Sequence, residues 1–402
     1  MASREGENFD VGQRLTVDIE KVAHGGHFIA RAGGRVFFVR HGLPGEKVEI
    51  EITSVGSSFL RADVVSVLSA SPDRIVSPCP FAGPGRCGGC DFQHISPTRQ
   101  RELKGDVIKE QFLRIAKIDV DVKVEEVAAP THWRTRISGA TNAQGAIGFY
   151  AFRSHRVIAV DDCLIAAEGI SFSDLAKRKW PVNSRVEISA GSDGARTVAI
   201  GPAVRGSKVR ITQGPKILRE QIGDNVLEVS QESFWQSHAL APAVLIGAIR
   251  PFVREGDQVL DLYGGVGLFS AGIRDLVGGS GSITLIESSP SAVRDAKRNF
   301  TSSPNIYVHK GDVGSEIRVV TEADLVILDP PREGAGKEVL SSITALHPRS
   351  IIYVACDPAA LARDCAYLAQ LGYSLASLRA FDLFPMTHHI ECVAHFEASQ
   401  TG

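Results

Sequence analysis

At 402 residues the chain is long enough for two or three domains with separate cores, and 44% hydrophobic with 22% charged content is ordinary for a folded protein. No apolar run approaches the ~18 residues a membrane crossing needs, and the polar start from Met1 to Asp10 is unlike a secretory signal, so a cytoplasmic location is expected. A net charge of −2 excludes a uniformly basic nucleic-acid binder, although a slight excess of Lys and Arg between Asp91 and Ser230 leaves room for a local patch.

Residues 8–68 alternate apolar and polar positions, as in Leu15-Thr16-Val17-Asp18-Ile19 and Lys47-Val48-Glu49-Ile50-Glu51-Ile52, with turns at Gly25-Gly26, Gly33-Gly34 and Leu43-Pro44-Gly45. Period two with glycine punctuation predicts a small antiparallel β-barrel similar to an oligonucleotide-binding fold. A middle domain is expected over 69–230. It opens on a proline-marked loop (Pro72, Pro78, Pro80, Pro84), continues through helical spacing over 99–117, and becomes β-rich from Trp133 to Ile211.

Over 231–402 helix and strand patterns alternate. Helices are predicted at Ala241–Arg250, Leu268–Leu276 and Ala292–Phe300, strands at 258–262, 283–287, 324–329 and 351–355, and a last apolar stretch at Ile390–Phe396. Such alternation predicts an α/β domain whose parallel sheet is covered on both faces. Its chemistry should lie at the carboxyl ends of the strands. Three strand ends stand out. Asp261-Leu262-Tyr263-Gly264-Gly265-Val266-Gly267 is a glycine turn into a helix, suited to a nucleoside cofactor. Glu287 and Asp312, each ending a later segment, are placed to meet the ribose and the adenine. Asp329 ends the run before Pro330-Pro331, and Cys356 ends Ile351–Ala355.

Seven cysteines, an odd number, favour metal-binding or catalytic thiols over a disulfide framework. Cys79-x7-Cys87-x2-Cys90 with the distant Cys163 supplies four thiolates, and spacing alone leaves zinc and an iron–sulfur cluster about equal. Trp133-Arg134-Thr135-Arg136, Phe149-Tyr150, Phe152-Arg153 and His155-Arg156 interleave basic and aromatic side chains, as a surface for single-stranded RNA does.

Taken together, Asp329-Pro330-Pro331-Arg332, Cys356-Asp357-Pro358 through Arg363-Asp364, and Phe384-Pro385-Met386-Thr387-His388-His389-Ile390-Glu391 resemble the S-adenosylmethionine-dependent RNA uracil carbon-5 methyltransferases. Phe234-Trp235-Gln236 is similar to the start of that family's catalytic domain. The resemblance spans nearly the whole chain. It implies a class I, Rossmann-like methyltransferase domain, an N-terminal TRAM barrel, and a central α+β domain bearing a 4Fe-4S cluster on Cys79, Cys87, Cys90 and Cys163. It also implies Cys356 as nucleophile and Glu391 as base, with Gln236, Tyr263, Glu287, Asp312 and Asp329 around the methyl donor and target. The family commonly has Asn where this chain has Asp357, a polar residue in place of Leu268, and a shorter gap after Cys79.

The chemistry requires these groups. Carbon-5 of uracil becomes nucleophilic only after a thiolate adds to carbon-6, and a base must then take the carbon-5 proton. A helix N-terminus beside Cys356 is expected to lower its pKa. The resemblance favours a monomer acting on structured RNA, ribosomal ahead of transfer RNA, with the cluster far from methyl transfer. The alternatives are an RNA cytosine carbon-5 methyltransferase, which Ala355 before the thiol disfavours, and a noncatalytic RNA-binding protein with a redox-sensing cluster.

Overall fold

The computed structural model describes residues 8–204 and 206–399. Strands β1 (Arg14–Ala23), β2 (His27–Ala32), β3 (Arg35–Arg40), β4 (Lys47–Val55) and β5 (Leu60–Ser69) close into a barrel of order β1-β2-β3-β5-β4. Alternation does the work: Val17, Ile19, Val48, Ile50 and Ile52 turn inward and are buried, while their sequence neighbours face water. Glu46, fully buried, closes the barrel's exit by accepting hydrogen bonds from the Leu43 amide and from both forks of Arg74.

Helix α1 (Pro97–Gln111) and strand β6 (Val124–Glu126) follow. Next come β7 (Arg136–Thr141), β8 (Ile147–Tyr150), β9 (Val157–Ala159), the short α2 (Phe172–Ala176), β10 (Ser184–Ala190), β11 (Arg196–Pro202) and β12 (Arg210–Gln213), which form a six-stranded antiparallel sheet of order β12-β11-β10-β7-β8-β9. A hairpin, β13 (Ile217–Ile222) with β14 (Asn225–Ser230), leads onward.

The remaining elements are α3 (Ala241–Ile249), β15 (Gln258–Leu262), α4 (Leu268–Val277), β16 (Ser282–Glu287), α5 (Pro290–Asn299), β17 (Ile306–Lys310), α6 (Val313–Glu316), β18 (Leu325–Leu328), α7 (Gly336–Thr344), β19 (Ser350–Ala355), α8 (Pro358–Gln370), β20 (Tyr373–Asp382) and β21 (Glu391–Ala398). They build a sheet of order β17-β16-β15-β18-β19-β21-β20-β6. Strands β15 to β19 pair in parallel. The central β15, β18 and β19 are buried on both faces, which is why they read as continuous apolar runs, whereas the edge strand β17 exposes Tyr307, His309 and Lys310. The last strands depart from the expected all-parallel sheet. β21 inserts antiparallel between β19 and β20. β6, from the segment expected to belong to the middle domain, extends the same sheet beside β20.

The barrel, α1 and one face of this sheet share one apolar core, running from Phe9 and Phe28 through Leu103 and Phe112 to Tyr353 and Phe396. Within it, the buried Lys104 ammonium on α1 donates to Asp382 at the end of β20 at 2.6 Å and to the Phe384 carbonyl at 3.1 Å. Removing either partner of so dry a pair strands a charge, at a cost of about 3–5 kcal/mol. The pair ties α1 to the loop that leads into Glu391.

Candidate active site

Ladder register brings the expected nucleophile and base to neighbouring strand ends. Ala355 at the end of β19 lies opposite Cys392 on antiparallel β21. One step further, just past the end of this ladder, come Cys356 and Glu391, near enough for the Glu391 charge to act on the thiol. Asp329 ends the neighbouring strand β18, and Arg332 follows it by three residues. Glu391 is buried, and loss of water followed by the charge of Asp329 holds its carboxyl well above the usual range, against a pull from Arg332. Burial and then the Asp261 charge push Asp329 up to about 7.

Cys356 contradicts one expectation. The helix N-terminus does not leave its thiol acidic: burial first, then Glu391 and Asp329, push it up to about 11, with Arg332 acting in the opposite sense. The helix-end field is already occupied. Asp357 caps α8 through Oδ1, which accepts from the Ala359 and Ala360 amides at 2.9 Å. Its other oxygen meets His24 Nε2 of the barrel at 3.1 Å. The thiol lines a cavity of about 210 Å³ whose walls include Ala23, His24, Gly25 and Gly26 of the β1–β2 turn, together with Arg332, His388 and His389.

A second clamp holds the loop before Glu391. His388 donates to Asp91 through its Nδ1 at 2.5 Å and its amide at 2.9 Å. The Phe92 amide donates to Met386 O, and Gln100 accepts from the Met386 amide. Gly26, at φ +76°, packs where any Cβ would come within 2.4 Å of Asp91 and 2.8 Å of His388. Only glycine fits there.

At the glycine turn, buried Asp261 accepts from the Ser270 amide at 3.0 Å and hydroxyl at 2.6 Å through Oδ2, while its Oδ1 has no partner. Its carboxyl is pushed up to about 6, chiefly by burial. Tyr263 adopts a left-handed φ of 58°, and Asp312 is close enough to raise its phenol further after burial has done so. Glu287 Oε2 accepts from the Gly265 amide at 3.0 Å and Oε1 from the Ser289 amide at 2.6 Å. Glu287 and Asp329 are thus electrostatically joined to Asp261, and Asp312 to Tyr263 two residues on. Gln236 is buried after β14, and among the described residues no hydrogen bond or shared cavity joins it to them.

The four remaining cysteines singled out by spacing, Cys79, Cys87, Cys90 and Cys163, line one cavity of about 170 Å³. Burial pushes Cys90 up to about 12 and Cys163 to about 11, and the thiols raise one another. Arg134 faces Cys163 and Cys90. Among the described residues no group of three or more His, Cys, Asp and Glu is gathered as tightly as a single metal ion requires. A cationic group bound there would offset the cost of ionising the thiols.

This cavity adjoins the loop that precedes Glu391. Met386 packs with Trp133 and Ile165 against Cys90 and Cys163, and Asp91 directly follows Cys90. The expected RNA surface also needs correction. Trp133 is buried and stacked on His238, and Arg136 is spent on Glu220 at 3.2 Å, so neither faces solvent. Tyr150, Phe152 and Arg153 remain exposed.

Comparison with known proteins agrees with this architecture. A TRAM domain model matches residues 9–65, and a tRNA (uracil-5-)-methyltransferase model matches residues 316–399. A Streptomyces coelicolor protein described as an uncharacterized RNA methyltransferase is 42% identical over 98% of this chain and 94% of its own length. The chain belongs to the RNA uracil-5-methyltransferase family. It is an S-adenosylmethionine-dependent RNA methyltransferase acting at uracil carbon-5. A 23S rRNA (uracil(1939)-C(5))-methyltransferase of Shewanella amazonensis is 29% identical over 96% of both chains. In fold, the methyltransferase is similar to the Pyrococcus abyssi tRNA (uracil-54, C5)-methyltransferase solved with S-adenosyl-L-homocysteine. That likeness has a TM-score of 0.73, 22% identity, and coverage of 94% of this chain and 99% of the other.

Asp261, the Asp91–His388 clamp and the barrel turn were not identified as site elements from sequence. Asp261 carried a signal, an acid inside the strand that opens the glycine turn. The other two had none, since Asp91 and His388 are 297 residues apart.

Proposed function

We propose that this methyltransferase modifies one uridine of a structured ribosomal RNA through a temporary bond between Cys356 and the ring. The carrying observation is the β19–β21 register, which brings Cys356 and Glu391 to neighbouring strand ends with Asp329 alongside. The Cys356 thiolate forms a Sγ–C6 bond, and the C5=C6 pair moves onto the ring oxygen as an enolate. Carbon-5 then takes the methyl group, whose carbon–sulfur bond breaks with the electron pair leaving on the neutral thioether. Glu391 accepts the carbon-5 proton, and the Sγ–C6 bond breaks to restore the ring. S-adenosylmethionine supplies an electrophilic methyl on a cationic sulfur. Asp329, with Tyr263, Glu287, Asp312 and Gln236, would hold it.

A positive charge beside Asp329 counters the carboxylates that disfavour ionisation of Cys356, so thiolate formation is coupled to donor binding. High carboxyl pKa values also suit Glu391 as a base near neutrality. Ribosomal RNA is favoured over transfer RNA by the full-length likeness to a 23S rRNA methyltransferase. For Cys79, Cys87, Cys90 and Cys163 we favour a 4Fe-4S cluster over zinc because of the shared open cavity.

The test is incubation with 5-fluorouridine RNA and S-adenosylmethionine. A denaturation-resistant adduct, absent in Cys356→Ala, is expected; no adduct with ribosomal or transfer RNA would remove the reading. Mapping 5-methyluridine in cells with and without the gene separates the two RNA classes. Iron and sulfide analysis of anaerobically purified protein, with zinc as the opposing outcome, decides the cysteine cavity.

A further inference from the structure

A cleft of about 350 Å³, larger than the one at Cys356, lies between the barrel and the cysteine loop. Four arginines line it: Arg40 and Arg61 from the barrel, Arg86 from the cysteine loop, and Arg153 from the exposed turn after β8. Among the described residues none of the four lies within ion-pair distance of a carboxylate, and Asp63 is the one acid in the lining. Arg40 is only 6% exposed, with its guanidinium 3.5 Å from the centre of the Phe152 ring. Arg153 flanks the same ring at 5.4 Å on a backbone with φ 50°. Arg61 meets His27 Nε2 at 3.2 Å.

These charges oppose one another. Burial and Arg153 both draw Arg61 down, and burial with Arg61, Arg40 and Arg153 holds His27 at about 4. Asp63 and Asp91 act on Arg40 and partly offset its charge, but four guanidiniums outnumber the one acid in the lining, and such an excess has a standing electrostatic cost that an external anion removes. Two further observations narrow the anion. Phe152, more than a third exposed, offers a stacking face among the arginines. His27 lines this cleft while Gly26, its chain neighbour, lines the cavity of Cys356, so the two spaces share the β1–β2 turn as a wall.

We infer that this arginine cleft grips the phosphodiesters of single-stranded RNA beside the uridine that enters the Cys356 cavity. The inference rests on the RNA-methylating function proposed above and assigns its backbone contacts. An extruded base costs a few kcal/mol of lost stacking, and phosphate contacts on one side of the shared wall hold the strand while the base crosses it.

The test is anisotropy of a labelled single-stranded oligouridine titrated with the full-length protein across a potassium chloride series. Arg61→Gln with Arg153→Gln should weaken binding about tenfold at low salt and reduce the slope of log affinity against log salt by about 1.4, or about 0.7 for each phosphate lost. Arg61→Lys with Arg153→Lys should keep the slope, and S-adenosylmethionine affinity should not move. Unchanged affinity and slope in the glutamine pair would overturn the assignment. If that pair melts early, Arg153→Glu decides alone, because its side chain is on the surface: weaker binding supports the cleft and wild-type binding removes it. The catalytic reading is separable. Adduct formation at saturating RNA in the glutamine pair keeps the function even where the cleft fails, whereas arginine-dependent binding without any adduct keeps the cleft and removes the function.

Discussion

The chain holds its cysteines in two settings that share one physical condition and differ in their company. In both, burial raises the thiol pKa, to about 12 and 11 at Cys90 and Cys163 and to about 11 at Cys356. Around the four-thiol cavity the neighbours are other thiols, Arg134 and Gln93, with the carboxylates of Asp162 in the lining and Asp91 beside Cys90. Around Cys356 they are the carboxyls of Glu391, Asp329 and Asp357, with Arg332 opposing. Sulfur chemistry is therefore decided by the counter-charge that arrives. The function proposed above puts a fixed cation in the first setting and a methyl donor that comes and goes in the second.

The sharpest way to break this contrast is Cys356→Ala, which should abolish the 5-fluorouridine adduct and lower turnover by on the order of 10⁴-fold or more, checked by single-turnover methyl transfer. Glu391→Gln should still form the adduct and lower turnover by about 10²–10⁴-fold. Equal losses of adduct in the two variants would contradict the division of labour between them.

Next in size is the link between the two settings. Asp91→Ala frees His388 and the loop before Glu391, and should reduce turnover by about 10–100-fold with metal content retained. Turnover at the wild-type level would mean that the clamp does not position the base.

Smaller still is His24→Ala. It removes a partly exposed pair with Asp357, worth at most about 1 kcal/mol, while the α8 cap remains. A severalfold slower adduct rate is expected, and a double-mutant cycle with Asp357→Asn measures the coupling.

The mildest effect is one of pH. Asp329 holds its proton more tightly folded, at about 7, than at its ordinary 3.8. The folded state is therefore favoured at low pH, and stability declines as pH rises between those values. Asp329→Asn should flatten that decline and melt later than wild type at pH 8 without donor, by differential scanning fluorimetry.

Much of this was legible in sequence because buried parallel strands write themselves as apolar runs that end in polar residues. Cys356, Asp329 and Glu287 each end such a run, and the barrel's alternation gave its strands. Three things were hidden. The insertion of β21 between β19 and β20 is a tertiary choice, and without it Cys356 and Glu391 have no reason to meet. The His24–Asp357 and Asp91–His388 pairs join residues hundreds apart, and Gly25-Gly26 reads like any hairpin turn. The acidity of Cys356 was misjudged because helix position was visible and the surrounding carboxyls were not.

The β1–β2 turn also bears on how this enzyme can be divided. Since Ala23 to Gly26 supply part of the chamber around the thiol, a fragment starting after Ser69 would retain every reactive group and still be an unsealed vessel. Trimming or swapping the first module would thus alter the chemistry itself, and chimaeras that exchange it should be judged on adduct rate as well as on which transcripts they capture.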